Sequence, residues 1–561
     1  MDPNAQKLKE EALELFRYSK SYWQNNYEKT MKQCYKAFKR KTDPGYPLYT
    51  NLFIPYSFAN VQTVLSRLMD AVFSSRSLVS FVPTPKSDAE NCRRVEKLIN
   101  SQFEKMGAFW SFYSTFMTAL IYGFSPAKIL WEQNAPKLVP LDIWEFYFDP
   151  SCEWDLQKAG WVIQRNVKTL EQLEKMVEQG VYQADPESLQ KLSSGARSRK
   201  ELVVGENSEP KNAESKRLKS IEVLECWIGD RIITIAGGDL VLRNAQNPFN
   251  FYPFINYTCN PFPHEPVGEG LIAPSLDLQK EINNQRNLRL DLALKLLRPQ
   301  WKIIGDNIDE EELVWTPDGL IHLNPGEDVQ PMLPPNTAAN SFQEENRAYL
   351  DIDRAMGVTD ILRGEIPSGA ETATGVMTRF KAGATRIGLQ IYSAGRMIEG
   401  VTEMMLKLNR KYLENEKWLE PLTQKLITMS QEEILGPQDY KFVPICNTTP
   451  LKEVYRQQLM MFFNLLRGDP NINQRELLEN LLENFDLQDK EKLLKPLEQS
   501  PAPPSHSAPL PVGHPDPVGG LLGKMAGLNP GPGLGSNPNL EPEIPSPAAD
   551  PGPSSAPTSR G

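Results

Sequence analysis

The sequence predicts an α+β chain, predominantly helical, followed by a disordered Pro/Gly-rich tail. Three observations carry this. Helical apolar spacing dominates 5–41, 56–75, 87–106, 275–298, 341–357 and 371–413. Two strand-like groups, around 128–148 and 221–255, cluster β-branched and aromatic residues between turn signals. In 501–561, 16 prolines and 10 glycines fall within 61 residues, too many for a packed core.

The 561 residues, 40% hydrophobic and 24% charged, suffice for about three to five domains or one elongated subunit. A net charge of −10 argues against a protein that grips nucleic acid over its whole surface, while leaving local basic patches open. The six cysteines are scattered without a CxxC, which suits a reducing compartment and provides neither a zinc site nor a disulfide framework.

Taken in order, residues 5–41 read as two helices, the first with Leu8, Leu13, Leu15 and Phe16 as its apolar stripe. In the second, Lys29, Lys32, Lys36, Lys39 and Arg40 recur every three or four residues, with Met31, Cys34, Tyr35 and Phe38 on another face. Such a helix meets a phosphate backbone, a membrane surface or an acidic partner, or else presents a solvated lysine face over a small apolar contact. No targeting segment is visible at the start, which lacks the apolar stretch of a signal peptide. Met106–Ala127 is uncharged, but its serines, threonines and Pro126 dilute it, so it reads as buried core of a soluble protein and not as a membrane span.

Strands are expected at 128–132 and 144–148, with an Asp149-Pro150 turn, and between Ile221 and Ile255, with a Gly237-Gly238 turn. The polar stretch 185–219 reads as a surface loop or partly disordered insertion. A helix opens at Ser275 and closes at Pro299, about 33 Å long at 1.5 Å per residue. A compact strand-rich piece follows at 301–335 (WKIIG, LVW, a Pro317-Asp318-Gly319 turn, LIHL). A capping box at Ser341 and Glu344 is expected to start the next helix, which stops at Gly357. The third helix carries Gly375, Gly383, Gly388, Gly395 and Gly400, each costing about 0.8–1 kcal/mol against Ala, which close packing or bending must offset. Short helices are expected at 450–466, 474–484 and 490–497.

The search for chemistry assigns no catalytic residue, no cofactor and no metal. Gly268-Glu269-Gly270-Leu271-Ile272-Ala273 has the letters of a dinucleotide fingerprint, but prolines precede it and Pro274 interrupts the helix start. Gly523-Lys524 lacks the rest of a phosphate-binding loop. His264 and His322, the histidines outside the tail, build no triad or ligand set. Asp149 and Asp155 read as turn-forming and surface acids. Asp309-Glu310-Glu311-Glu312 is either a solvated face or a docking surface for a basic partner.

Helix, strand-rich insert, returning helix, loop and glycine-marked helix together resemble the core of a bacteriophage portal (head-to-tail connector) protein. So do the stretches 119–132, 140–165, 247–291 and 363–386, in the same order, and the likeness runs from about 50 to 480. The 185–219 loop and the tail are not part of it. The resemblance implies a ring, usually of twelve subunits, at one capsid vertex of the virion, assembled in the host cytoplasm. Behind a basic helical arm at 1–49, which the likeness does not cover, it implies a wing at 50–274, stem helices at 275–299 and 339–357, and a clip at 300–338. A tunnel loop at 358–371, a long wing helix with its following segment at 372–448 and a helical crown at 449–500 complete it, and the tail at 501–561 lies outside it.

The function implied is a channel for packaging and ejecting double-stranded DNA. Its partners would be the terminase large subunit, tail or adaptor proteins, and the major capsid or scaffolding protein, with no membrane. A conduit must let a polyanion slide, so Lys280, Arg286, Lys295 and Arg363 are expected to make only transient contacts. Reversing the charge of Arg363 is expected to alter packaging yield and leave the ring intact. Asp309, Glu310, Glu311 and Glu312 become docking candidates. A DNA-acting enzyme would need a phosphate-binding loop or an acidic metal cluster. An oligomeric scaffold or tail adaptor without a DNA-conducting pore would share the helices and the tail.

Overall fold

The computed structural model describes residues 3–444 with breaks, the longest at 200–218, 306–319 and 364–372, and then 460–466 and Leu478. The chain divides into two units, Met1–Leu494 and Lys495–Gly561, and the described residues all belong to the first. The expected tail, the acidic run and most of the expected 450–497 helices therefore lie outside the described residues.

Helices α1 (Pro3–Asn26) and α2 (Glu28–Phe38) are followed by α3 (Tyr56–Phe73), β1 (Val79–Pro83), α4 (Ala89–Lys105) and α5 (Ala108–Tyr122). Helix α5 has no charge, and Phe112, Thr115, Phe116, Ala119 and Leu120 are buried at helical spacing, as expected for core. Among the described residues, no helix is long and apolar enough to cross a membrane. Strands β2 (Phe124–Glu132) and β3 (Ala135–Pro140) follow. The expected strand at 144–148 shortens to β4 (Phe146–Phe148), because Asp142 caps a single 3-10 turn at Ile143–Glu145.

Next come β5 (Trp161–Thr169), α6 (Leu170–Glu178), α7 (Pro186–Gln190), β6 (Ser220–Ile228), β7 (Arg231–Ala236), β8 (Leu240–Gln246) and β9 (Phe254–Thr258). Strands β4 to β8 form one antiparallel sheet in sequence order, and β2 lies between β3 and β9 in another. Helix α1 packs on the five-stranded sheet through Phe16, edge-on to Tyr147 at 5.1 Å, and Trp23, edge-on to Phe148 at 5.7 Å. Helices α6 and α7 close a smaller cluster with Leu170, Leu173, Leu189, Ile221 and Val223. Part of the stretch expected to be loop is thus helical, anchored by Leu189.

Two long helices, α8 (Leu276–Leu297) and α9 (Ala338–Met356), flank the hairpin β10 (Gln300–Ile304) and β11 (Asp328–Met332). Leu320, His322 and Leu323, expected in a strand, are described outside any strand. Helix α9 starts three residues before Ser341, so the expected capping box does not form there; the Ser341 hydroxyl donates to Gln285 instead, at 2.8 Å. A short helix α10 (Asp360–Arg363) precedes α11 (Ala373–Tyr412). Three strands follow, β12 (Glu416–Leu419), β13 (Leu426–Met429) and β14 (Tyr440–Pro444), the last paired with β1, and the described residues 460–466 are helical, within the helix expected at 450–466. The main core joins α3, α4, α5 and α11 to the three-stranded sheet, with Leu68, Phe116, Ile129, Tyr257, Met397 and Val401 buried.

Two glycine observations follow directly. Gly123 ends α5 at φ +95°, and a Cβ there would lie 1.9 Å from the Gly268 carbonyl oxygen. A Cβ on Gly270 would lie 2.5 Å from the Ile121 carbonyl oxygen, and the Leu271 N–H donates to Leu120 O at 2.8 Å. The dinucleotide-like letters therefore mark a backbone-to-backbone seam. In α11, a Cβ on Gly400 would meet Ile255 at 2.2 Å, so close packing accounts for that glycine, whereas Gly388 faces open space.

Candidate functional site

The hairpin of α8 and α9 carries three of the four predicted channel residues, Lys280, Arg286 and Lys295, and two of its faces are occupied within the chain. The first is the contact between the helices. Arg289 reaches Glu345, and its Nη1 also donates to the Ser341 hydroxyl at 3.1 Å. Tyr349 donates to the second Glu345 oxygen at 3.0 Å, and the guanidinium lies 4.3 Å from the Phe342 ring centroid. The side chains of Arg289 and Glu345 are 8% and 6% exposed. Burial and the neighbouring Arg286 hold the Arg289 pKa below its usual value.

The second face holds the extended residues 49–55 and the start of α3 at Tyr56 and Ser57. Their backbone has no β partner here, so each N–H needs another acceptor. Gln279, Asn283, Asn287 and Asp291, spaced four apart on α8, supply them. The N–H groups of Ser57, Ile54, Leu52 and Thr50 donate to these side chains in turn at 3.0, 2.9, 2.9 and 2.8 Å, and Tyr49 N–H also donates to Asp291 at 3.1 Å. Asn287 and Gln279 donate back to Leu52 O and Ile54 O.

Lys280, Arg286 and Lys295 are exposed. Lys280 pairs with Asp277 one turn earlier at 2.8 Å. At 100° per residue, Lys280 and Lys295 lie about 60° apart, and Arg286 sits about 120° from Lys280 on its other side. The three do not form one stripe. Arg363, expected in the tunnel loop, is placed at the end of α10. There its Nη1 lies 2.7 Å from Asp353 and donates to the Tyr56 hydroxyl at 2.8 Å. Tyr56 in turn donates to Asp353 at 2.7 Å, and Asn60 donates at 3.0 Å. Burial, reinforced by Asp353, pushes the Tyr56 pKa well up. Asp309, Glu310, Glu311 and Glu312 lie outside the described residues; they fall between β10 and β11 in the chain.

The sequence reading missed the Arg289–Glu345 pair, the Asp353 hub and the side-chain ladder. Only the ladder had a legible signal, in amide and acid residues at every fourth position. Among the described residues, no group of three or more His, Cys, Asp and Glu could hold a metal ion. The five described cysteines are buried and unpaired, and burial pushes Cys34, Cys152 and Cys259 up to about 12, away from nucleophilic use.

A family model described as "Phage SU10 portal protein" matches residues 132–512, more than half of the chain. The chain belongs to that portal protein family. No curated protein matches this portal chain. The matched span contains the whole hairpin, the strands between its helices and α11, and it leaves out α1 to α5. A phage portal role and a mixed α+β fold follow from membership, and the role is structural.

Proposed function

We propose that copies of this portal chain, twelve by family resemblance, close into a ring at one capsid vertex, through which the double-stranded DNA genome is packaged and later ejected. The observation that carries the reading is the family match across 132–512, which spans the unit of α8, the β10–β11 hairpin, α9 and α11. In it, α8 and α9 form the stem, and Lys280, Arg286 and Lys295 touch passing DNA only transiently. The chain's net charge of −10 supports this, since a conduit that neutralised many phosphates would hold its cargo. The segment between α8 and α9, with Asp309 to Glu312, docks the terminase large subunit and then a tail or adaptor protein. The major capsid or scaffolding protein surrounds the ring.

The native mass of the purified protein, with negative-stain images of the same peak, tests this. A closed ring of about 760 kDa, twelve times 63.5 kDa, with a central hole is the expected result. A large oligomer without a pore would overturn it in favour of a scaffold.

A further inference from the structure

Helix α2 and the three residues after it carry a concentrated positive charge that the portal reading does not use. Residues 28–41 hold Lys29, Lys32, Lys36, Lys39, Arg40 and Lys41 against one acid, Glu28. That acid is already engaged, 2.7 Å from Arg199. Met31, Cys34, Tyr35 and Ala37 are buried, which fixes the rotation of the helix. Lys29, Lys36, Lys39 and Arg40 are consequently exposed and Lys32 half-buried. Glu265 and Glu269 act on Tyr27 and Cys34, the residues packed beneath. The whole arm precedes the family-matched span.

We propose that this face contacts the phosphate backbone of double-stranded DNA. Lys29 to Lys39 covers about 15 Å along the helix. A duplex strand presents one phosphate per 3.4 Å, so about four phosphates of the facing strand lie within that reach. Three exposed lysines, Lys29, Lys36 and Lys39, stand opposite them, with the half-buried Lys32 between. A membrane-surface helix would need its apolar side free to enter lipid. Here that side is spent on the protein core, and Thr30 and Gln33 separate the cations on the outer face. The portal reading enters only in making DNA the polyanion at hand.

The test uses the full-length protein and a 30-base-pair duplex, with fluorescence anisotropy read from about 50 to 300 mM salt. Wild type is compared with Lys29→Gln/Lys36→Gln/Lys39→Gln and with Lys137→Gln/Lys175→Gln, which alters exposed lysines elsewhere. The α2 variant is expected to bind at least about tenfold more weakly near 100 mM salt. Its plot of log affinity against log salt should be shallower by about 2.7, at 0.9 per lost phosphate contact. The second variant should match wild type. Equal slopes in all three proteins, or no duplex binding by wild type, would overturn the proposal. So would equal loss in both variants, or binding to phosphatidylserine vesicles without binding to the duplex. Native mass is measured on each sample. A pored ring with an unaltered DNA slope sinks this proposal alone, and a wild type that forms a poreless oligomer sinks the portal reading whatever α2 does.

Discussion

Asp353 accepts from Tyr56 and Asn60 of α3 and pairs with Arg363 of α10, so three helices meet on one carboxylate whose side chain is 9% exposed. Removing one partner of such a pair strands the other, which costs about 3–5 kcal/mol for fully buried groups. Arg363 is 17% exposed, so Arg363→Ala is expected to cost less, about 2–3 kcal/mol, read as a lowered denaturation midpoint. Charge reversal there would set two carboxylates face to face, so stability is the readout that moves before packaging yield. Asp291 makes a second residue-scale case. Burial pushes its pKa up, but donors from Thr50 and Tyr49, with Lys295 nearby, outweigh this and leave it lowered. A carboxylate depressed in the folded state adds stability above its unfolded pKa of about 3.9 and loses it as pH falls through the folded value. The difference in Tm between wild type and Asp291→Asn should therefore be widest above about pH 5 and close on acidification. A difference that does not change with pH would separate Asp291 from the 49–57 segment's stability.

Elements of helical period were the most legible. The helices expected at 275–298 and 371–413 appear within a few residues of those bounds, and the uncharged run is buried core, yet in α8 the leucines at 288, 294 and 297 stand exposed and Gln279, Asn287 and Asp291 are buried instead. Ser341 shows where local reading fails. Its capping pattern is real in the letters, yet the helix runs past it because Gln285 and Arg289 of α8 engage the hydroxyl. The Arg289–Glu345 pair was invisible for the same reason: fifty-six residues separate partners that only the hairpin brings together. Glycines divide along this line too. Gly123→Ala would put a Cβ against a carbonyl at positive φ and is expected to cost more than 3 kcal/mol. Gly388→Ala meets open space within a helix and should stabilise by about 0.8–1 kcal/mol. Thermal denaturation of the two variants distinguishes a glycine the backbone seam requires from one the subunit alone does not.

For the whole molecule, that spare glycine belongs with its neighbours. Leu389 and Tyr392 stand three residues apart on α11, 69% and 70% exposed, while Ile387, Ile391 and Ala394 face the core. Leu288, Leu294 and Leu297 of α8 and Phe342 and Leu350 of α9 are also at least 47% exposed. Scattered exposed apolar residues are ordinary, but several along the long helices of one subunit fit a surface that another protein covers. In the proposed ring that protein is the next copy, and a closed ring repeats each such contact around its axis. Leu389→Asp/Tyr392→Asp puts two charges per subunit on the outer face of α11 while replacing no buried side chain. The variant is therefore expected to keep wild-type circular dichroism and thermal stability as a subunit. Its native mass should fall from the ring toward 63.5 kDa. A ring that persists would place α11's outer face away from the interface and leave the leucines of α8 as the surface to test next.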